Sequence, residues 1–280
     1  MSTLRILLAE DNLLNRKVVL QMLKKLGYDA NVASNGHEVV AMAQKSRYDV
    51  IFMDLMMPQL DGFGAAMRIR ALESSDHRAI IIALTANSMG SDRTRSLAAG
   101  MDDFMMKPFM LGSLKQKLHS VEAILSKENE SMPGEENMRP GKDMNSEDTS
   151  RPLDTSLPHE TADLVDRSVL RALASMVGED DPAYLKEILN DFLTDAERLR
   201  GEIHKAVQAG NHLSLRQAAH SLKSTSAMFG ALKLSDLCTC FENAAIEQNL
   251  GAIQMRLEEF DRTIQGVHTA LVEMVESEAY

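Results

Sequence analysis

The chain has 280 residues and 44% hydrophobic content, enough for two ordinary domains with separate cores. Its formal net charge of −11 leaves no basic stripe to meet phosphates, which speaks against nucleic acid as a direct partner. No stretch nears the roughly 18 apolar residues of a membrane span, and the acidic Glu10–Asp11 pair follows the first apolar run too soon for a signal peptide. A cytoplasmic protein without membrane insertion is expected. Cys238 and Cys240 stand one residue apart on an expected helix, so they face different sides and read as packing thiols in a reducing compartment.

Residues 1–126 alternate strand and helix. Leu4–Ala9 has the continuous apolar character of a buried parallel strand, broken only by Arg5. A helix over Asn15–Leu26 stops at Gly27, and weaker strand signal follows at Asp29–Ala33. Then come a helix over Gly36–Lys45, a strand at Val50–Met53, and a loop holding Pro58 and Asp61–Gly62 before a helix to Leu72. Ala79–Leu84 is the most apolar run. A further helix ends at Gly100, Phe104–Met106 is a short strand, and Leu111–Leu125 is an amphipathic helix. Five β–α units imply a doubly wound five-stranded parallel sheet with function at the carboxyl ends of its strands.

Five polar residues fall where that rule asks. Glu10 and Asp11 follow the first strand, Asp54 the third, Thr85 the fourth and Lys107 the fifth, so all five should converge on one crevice. Three crowded carboxylates raise one another's pKa values unless a cation intervenes. An open site of oxygen ligands suits Mg²⁺. The methionines around the crevice (Met53, Met56, Met57, Met105, Met106) are expected to pack core and rim, with an adaptable docking surface as the other option.

The stretches ILLAEDNLLNRKV, DVIFMDLMMPQLDGF, ALTANSMGSDRTRSLAAGMDDF and KPF make residues 4–125 resemble a response-regulator receiver domain, particularly the receivers of hybrid histidine kinases. The resemblance implies the flavodoxin-like receiver fold. It assigns Asp54 as phosphoacceptor, and Glu10, Asp11, Asp54 and the Met56 backbone carbonyl as holding Mg²⁺. Thr85 and Lys107 would bind phosphoryl oxygens, and Lys107–Pro108 would be cis. Phe104 would be the switch aromatic, lacking the hydroxyl that a tyrosine there would offer. A Mg²⁺-dependent phosphohydrolase of the haloacid-dehalogenase type would want a second aspartate two residues after the nucleophile, where Met56 stands.

Residues 127–163 change character. Four of the seven prolines lie here, and four Lys or Arg against ten Asp or Glu leave a net charge of −6. Such a segment reads as a flexible acidic linker with a coil span on the order of 35 Å. It would hold two end modules at an effective concentration on the order of millimolar.

Residues 164–280 read as all helix: a short helix at Asp166–Val177, then Pro182–Gln208, a helix around Ala218–Ala231, Leu234–Gln248 and Ala252–Glu276. Short connections imply an antiparallel four-helix bundle with one helix in front. Leu215, Ala218, Ala219, Leu222 and Phe229 form a buried face. His220 lies about 200° away from Leu222, so it is expected on the wet side with Lys223 and Ser224. Imidazole is nucleophilic near neutral pH, and Lys223 can offset arriving charge. The stretch AGNHLSLRQAAHSLKSTSAMFGALKLSDLCTCFE resembles a histidine-containing phosphotransfer (HPt) domain. That resemblance makes His220 the phosphorylated residue, Lys223 its electrostatic helper, and Ser224 the small residue where a receiver comes close.

Together the two resemblances imply a two-component phosphorelay intermediate that is not an ATP-using enzyme, since no Walker loop or kinase-type ATP-binding box is present. Its partners would be a sensor or hybrid histidine kinase and a downstream receiver protein. The alternative is a phosphorylation-switched interaction module, or a phosphate sink regulating a cognate kinase.

Overall fold

The computed structural model describes residues 4–73, 77–85, 90–130, 164–177 and 182–277. The first part holds five strands: β1 (Ile6–Ala9), β2 (Ala30–Ala33), β3 (Val50–Asp54), β4 (Ile80–Thr85) and β5 (Asp103–Met106). Between and after them run α1 (Leu13–Lys25), α2 (Gly36–Lys45), α3 (Gly62–Leu72), α4 (Gly90–Ala98) and α5 (Leu111–Glu130). Every pairing is parallel and the strand order is β2-β1-β3-β4-β5. This is the doubly wound flavodoxin-like sheet expected from the sequence.

Strand residues alternate between two apolar layers. Ile6, Leu8, Phe52 and Ile82 face α1 and α5, where Val18, Leu114 and Leu118 are buried. Leu7, Ile51, Met53 and Ile81 face the side of Val39, Ala65 and Ile69 on α2 and α3. Asparagine and aspartate start the helices: the Asn12 side chain accepts from the Leu14 and Asn15 amides, and Asp61 accepts from the Gly64 amide.

The second part is helical: α6 (Arg167–Val177), α7 (Pro182–Gln208), α8 (His212–Met228), α9 (Leu232–Ile246), α10 (Leu250–Gln254) and α11 (Leu257–Ser277). Helix α8 packs on α7 and α9, and α11 packs on the same two, closing a four-helix bundle. Phe192 of α7 stacks on Phe229, with ring centroids 4.5 Å apart. The last expected helix is in fact two, α10 and α11, separated by a turn at Met255–Arg256. Nothing in the local sequence marks that break.

The parts touch. Helix α6 packs on α1 as well as on α7 and α8, and the apolar layer under α1 continues into the bundle interior through Leu170 and Leu173. Helix α5 runs to Glu130, past the expected start of the linker. The remainder of that linker, residues 131–163, lies outside the described residues.

Candidate active site

The order β2-β1-β3 places a topological switch point between β1 and β3, and a crevice opens at their carboxyl ends. Glu10 and Asp11 leave β1, and Asp54 is the last residue of β3 rather than the first after it. Gly62 opens α3 beneath that strand end, where any Cβ would strike the Asp54 carbonyl oxygen. Carboxylate oxygens of Glu10, Asp11 and Asp54 all lie within 4.8 Å of one another. Lys107 enters from the end of β5, its amide donating to the Thr85 carbonyl at 2.7 Å and its peptide bond to Pro108 cis. Its Nζ donates to Asp54 Oδ2 at 2.6 Å and to Glu10 Oε2 at 2.5 Å. The Met56 amide donates to Asp54 Oδ1 at 3.1 Å.

The electrostatics follow from burial and crowding. Burial pushes the Glu10 carboxyl up to about 8, with the Asp54 and Asp11 charges adding and Lys107 opposing. Burial and the Asp54 charge raise Asp11 to about 6. Burial also works against the Asp54 carboxylate, but Lys107, His220 and the Met56 amide outweigh it and hold the group below its ordinary value. Asp54 is thus the ionised nucleophile candidate among three acids. One lysine thus serves two of three crowded carboxyls, and an oxygen-binding cation fits the remainder.

Thr85 ends β4 on the same rim, and its hydroxyl donates to Asp92 Oδ2 at 3.2 Å. Half-buried Phe104 on β5 lies under the Arg93 guanidinium, 5.3 Å from the ring centre. Met53, Met57 and Met105 are buried, whereas Met56 lies partly open and Met106 is exposed. Two polar residues beyond those expected belong to the crevice. The Asn15 side-chain amide donates to Glu10 Oε1 at 2.9 Å, and the Asn12 amide approaches the same oxygen at 3.4 Å. Asn12 caps α1 and buried Asn15 lies in its first turn, and two asparagines close behind the Glu10–Asp11 pair were the available signal.

In the bundle, His220 of α8 sets Nδ1 3.0 Å from Glu242 Oε1, and Lys223 Nζ donates to Glu242 Oε2 at 2.7 Å. Burial disfavours the Glu242 charge, yet His220 and Lys223 together bring the group down to about 2. An ionised carboxylate can only accept, so Nδ1 carries a proton, and in the neutral ring the lone pair lies on Nε2. Glu242 was missed in the sequence. Its signal is one acid on the buried stripe of α9, beside Cys238, Phe241 and Ala245.

The expected wet face is a correction. Lys223 and Ser224 are buried, and the His220 side chain keeps only 13% of its exposure. The cause is a neighbour: α1 lies over this face, and the Asn15 side-chain amide donates to Ser224 Oγ at 3.0 Å.

Comparison with known proteins then decides the family. The response regulator receiver domain model matches residues 6–119, and the Hpt domain model matches residues 187–277. The chain is a receiver domain joined to an Hpt domain. Hybrid signal transduction histidine kinase F of Dictyostelium discoideum is 45% identical over 124 residues, which cover 42% of this chain and 11% of that protein. Histidine protein kinase 1 of Candida albicans is 43% identical over 127 residues, covering 42% of this chain and 5% of that protein. The chain therefore spans only a small part of the curated relatives it matches. Among solved structures, the receiver domain of sensor histidine kinase PA1611 from Pseudomonas aeruginosa, with a magnesium ion in its active site cleft, is 42% identical. It covers 44% of this chain and 99% of its own, with a TM-score of 0.41.

The two domains share one cavity of about 1120 Å³, into which Asp11, Met56 and Arg95 of the receiver and Arg216, His220 and Ser221 of the Hpt domain open. Receiver and Hpt domains are components of two-component phosphorelay signalling. No helix among the described residues is long and apolar enough to cross a membrane.

Proposed function

We propose that the chain is a phosphorelay intermediate that takes a phosphoryl group on Asp54 and carries one on His220. A sensor or hybrid histidine kinase, a downstream receiver protein, or both would exchange it. Residues 1–126 would act as receiver, 127–163 as tether and 164–280 as Hpt module. They would work in the cytoplasm, where Cys238 and Cys240 stay free. The observation that carries this is the convergence of Glu10, Asp11 and Asp54 within 4.8 Å, with Lys107 Nζ donating to both Asp54 and Glu10.

In the first step an Asp54 oxygen bonds to phosphorus as the bond from phosphorus to the donor's histidine nitrogen breaks. The product is an acyl phosphate. Lys107 and the Thr85 hydroxyl meet charge on the transferred oxygens, so catalysis is positioning and electrostatics. Glu10, Asp11, Asp54 and the Met56 carbonyl would hold Mg²⁺, which when bound supplies further positive charge to those oxygens. Phe104, with no hydroxyl, would respond by changing rotamer. At the second site Glu242 keeps the proton on Nδ1 of His220, Lys223 offsets the charge of the bound group, and Ser224 leaves room for a receiver. The chain contributes no ATP chemistry of its own.

Incubating the full chain with Mg²⁺ and a small acyl-phosphate donor, followed by intact mass, tests this. Wild type is expected to gain phosphate that Asp54→Ala does not. An acid-labile, base-stable species at His220 should depend on Asp54. The proposal fails if Asp54 takes no phosphate, or if His220 takes none even from a supplied phosphorylated receiver.

A further inference from the structure

The face of the Hpt domain that presents His220 is covered by the receiver of the same chain. Glu187, Asp191 and Asp195 recur every fourth residue, so they form one acidic ridge along α7. That ridge lies against α1. Lys17 Nζ donates to Glu187 Oε1 at 3.0 Å and to Asp191 Oδ2 at 2.6 Å, and the Asn12 side-chain amide reaches Asp195 Oδ2 at 3.3 Å. At the far end of α1, Lys25 Nζ donates to the Ser175 carbonyl on α6 at 2.6 Å. Near the reactive groups Asn15 meets Ser224, and the Arg216 guanidinium approaches Met56 Sδ at 3.5 Å. Polar contacts thus run the length of α1, with a shared apolar layer beneath them.

We propose that the Hpt domain's docking partner is the receiver of its own chain, selected by the grip of the Glu187–Asp191–Asp195 ridge on Lys17. The ridge touches neither Asp54 nor His220, so it selects the partner without taking part in the chemistry. In the docked chain the phosphoryl group passes internally. Nε2 of His220 bonds to phosphorus, the bond from phosphorus to the Asp54 oxygen breaks, and its electron pair stays on the Asp54 carboxylate. The proton stays on Nδ1, hydrogen-bonded to the Glu242 carboxylate, and no further reactant is consumed. An outside kinase or receiver reaches either site only when the domains part. The kinetic side of this proposal rests on the phosphorelay function above.

The test uses full-length chains, Mg²⁺ and a small acyl phosphate, with phosphohistidine followed by intact mass. In wild type the rate should not change on dilution. In a micromolar mixture of Asp54→Ala and His220→Ala chains it should fall on the order of 100-fold or more, because the tether's effective concentration is about millimolar. Lys17→Glu should slow wild-type transfer roughly 10-fold without changing phosphorylation of Asp54, and adding Glu187→Lys and Asp191→Lys should restore it. Equal rates in wild type and mixture, or an unaltered rate in Lys17→Glu, would overturn the proposal. Small-angle scattering gives a readout independent of chemistry. Wild type and the charge-swapped triple variant should be compact and Lys17→Glu expanded, whereas three equal radii count against the ridge. If no arm forms phosphohistidine, even with a supplied phosphorylated receiver, it is the phosphorelay function that fails, and scattering alone judges the docking.

Discussion

Lys223 and His220 both lean on one carboxylate, Glu242, which is 10% exposed at its side chain and joins α9 to α8. Glu242→Ala strands the buried Lys223 ammonium and is expected to destabilise the Hpt domain by about 3 kcal/mol in urea unfolding. It should also slow phosphohistidine formation by roughly 10- to 100-fold, through loss of a charged hydrogen bond to the ring. The pH dependence has a definite sign. The Glu242 carboxyl falls from an ordinary 4.5 to about 2 on folding, so its contribution is complete above about pH 4.5 and is lost as pH drops through 2. Unfolding free energies of wild type and Glu242→Gln measured across that range should converge at the acid end. In the receiver the sign reverses. Asp11 rises from 3.8 to about 6, so the ion-free fold loses stability as pH climbs through that window. Mg²⁺ at a hundred times its dissociation constant should then stabilise by about 2.7 kcal/mol in a thermal shift, with proton release near pH 6 by calorimetry. Asp11→Asn should lose most of both.

Among the elements, the end of α8 does more than stop a helix. Gly230 adopts φ 75°, its carbonyl accepts from the Asp166 amide at 2.8 Å, and an added Cβ would sit 2.7 Å from the Asp166 carbonyl oxygen. The residue that lets the chain turn left-handed after Phe229 thereby seats the start of α6, the helix that leans on α1. Gly230→Ala is expected to cost about 1–2 kcal/mol, read as a lowered urea midpoint, and to raise hydrogen exchange in α6 more than in α9. Element ends that depend on a local cap were legible. Asp61 before α3 and Gly27 after α1 announce themselves by residue type. The split between α10 and α11 was not, because no glycine or proline stands between Gln254 and Leu257.

Taken whole, the molecule is joined by two kinds of contact that respond differently to salt. The Lys17 pairs are partly exposed, with 29% of the lysine side chain open, and a Debye length of about 8 Å at physiological ionic strength screens such pairs further as salt rises. The apolar layer linking α1 to α6 is indifferent to salt or strengthened by it. Amide exchange in α1 should therefore accelerate between low and high salt and level off short of the rate seen in an isolated receiver. Continued acceleration to that rate would show that ion pairs alone hold the domains.

Much of this protein follows from the order of its residues. Strands of a parallel sheet all finish on one side, so the polar residues that close the apolar runs at Glu10, Asp54, Thr85 and Lys107 had to gather there. Helical periodicity likewise assigned Leu215, Ala219 and Leu222 to the interior and His220 to the opposite face. What covers that opposite face was not in the pattern. Periodicity distinguishes in from out for one element, whereas the partner of an exposed face is chosen by side chains hundreds of positions away, as with Asn15 and Ser224. The same holds for the counter-charge: no fixed spacing ties Glu242 to His220, and only the packing of α9 against α8 brings the two within a hydrogen bond.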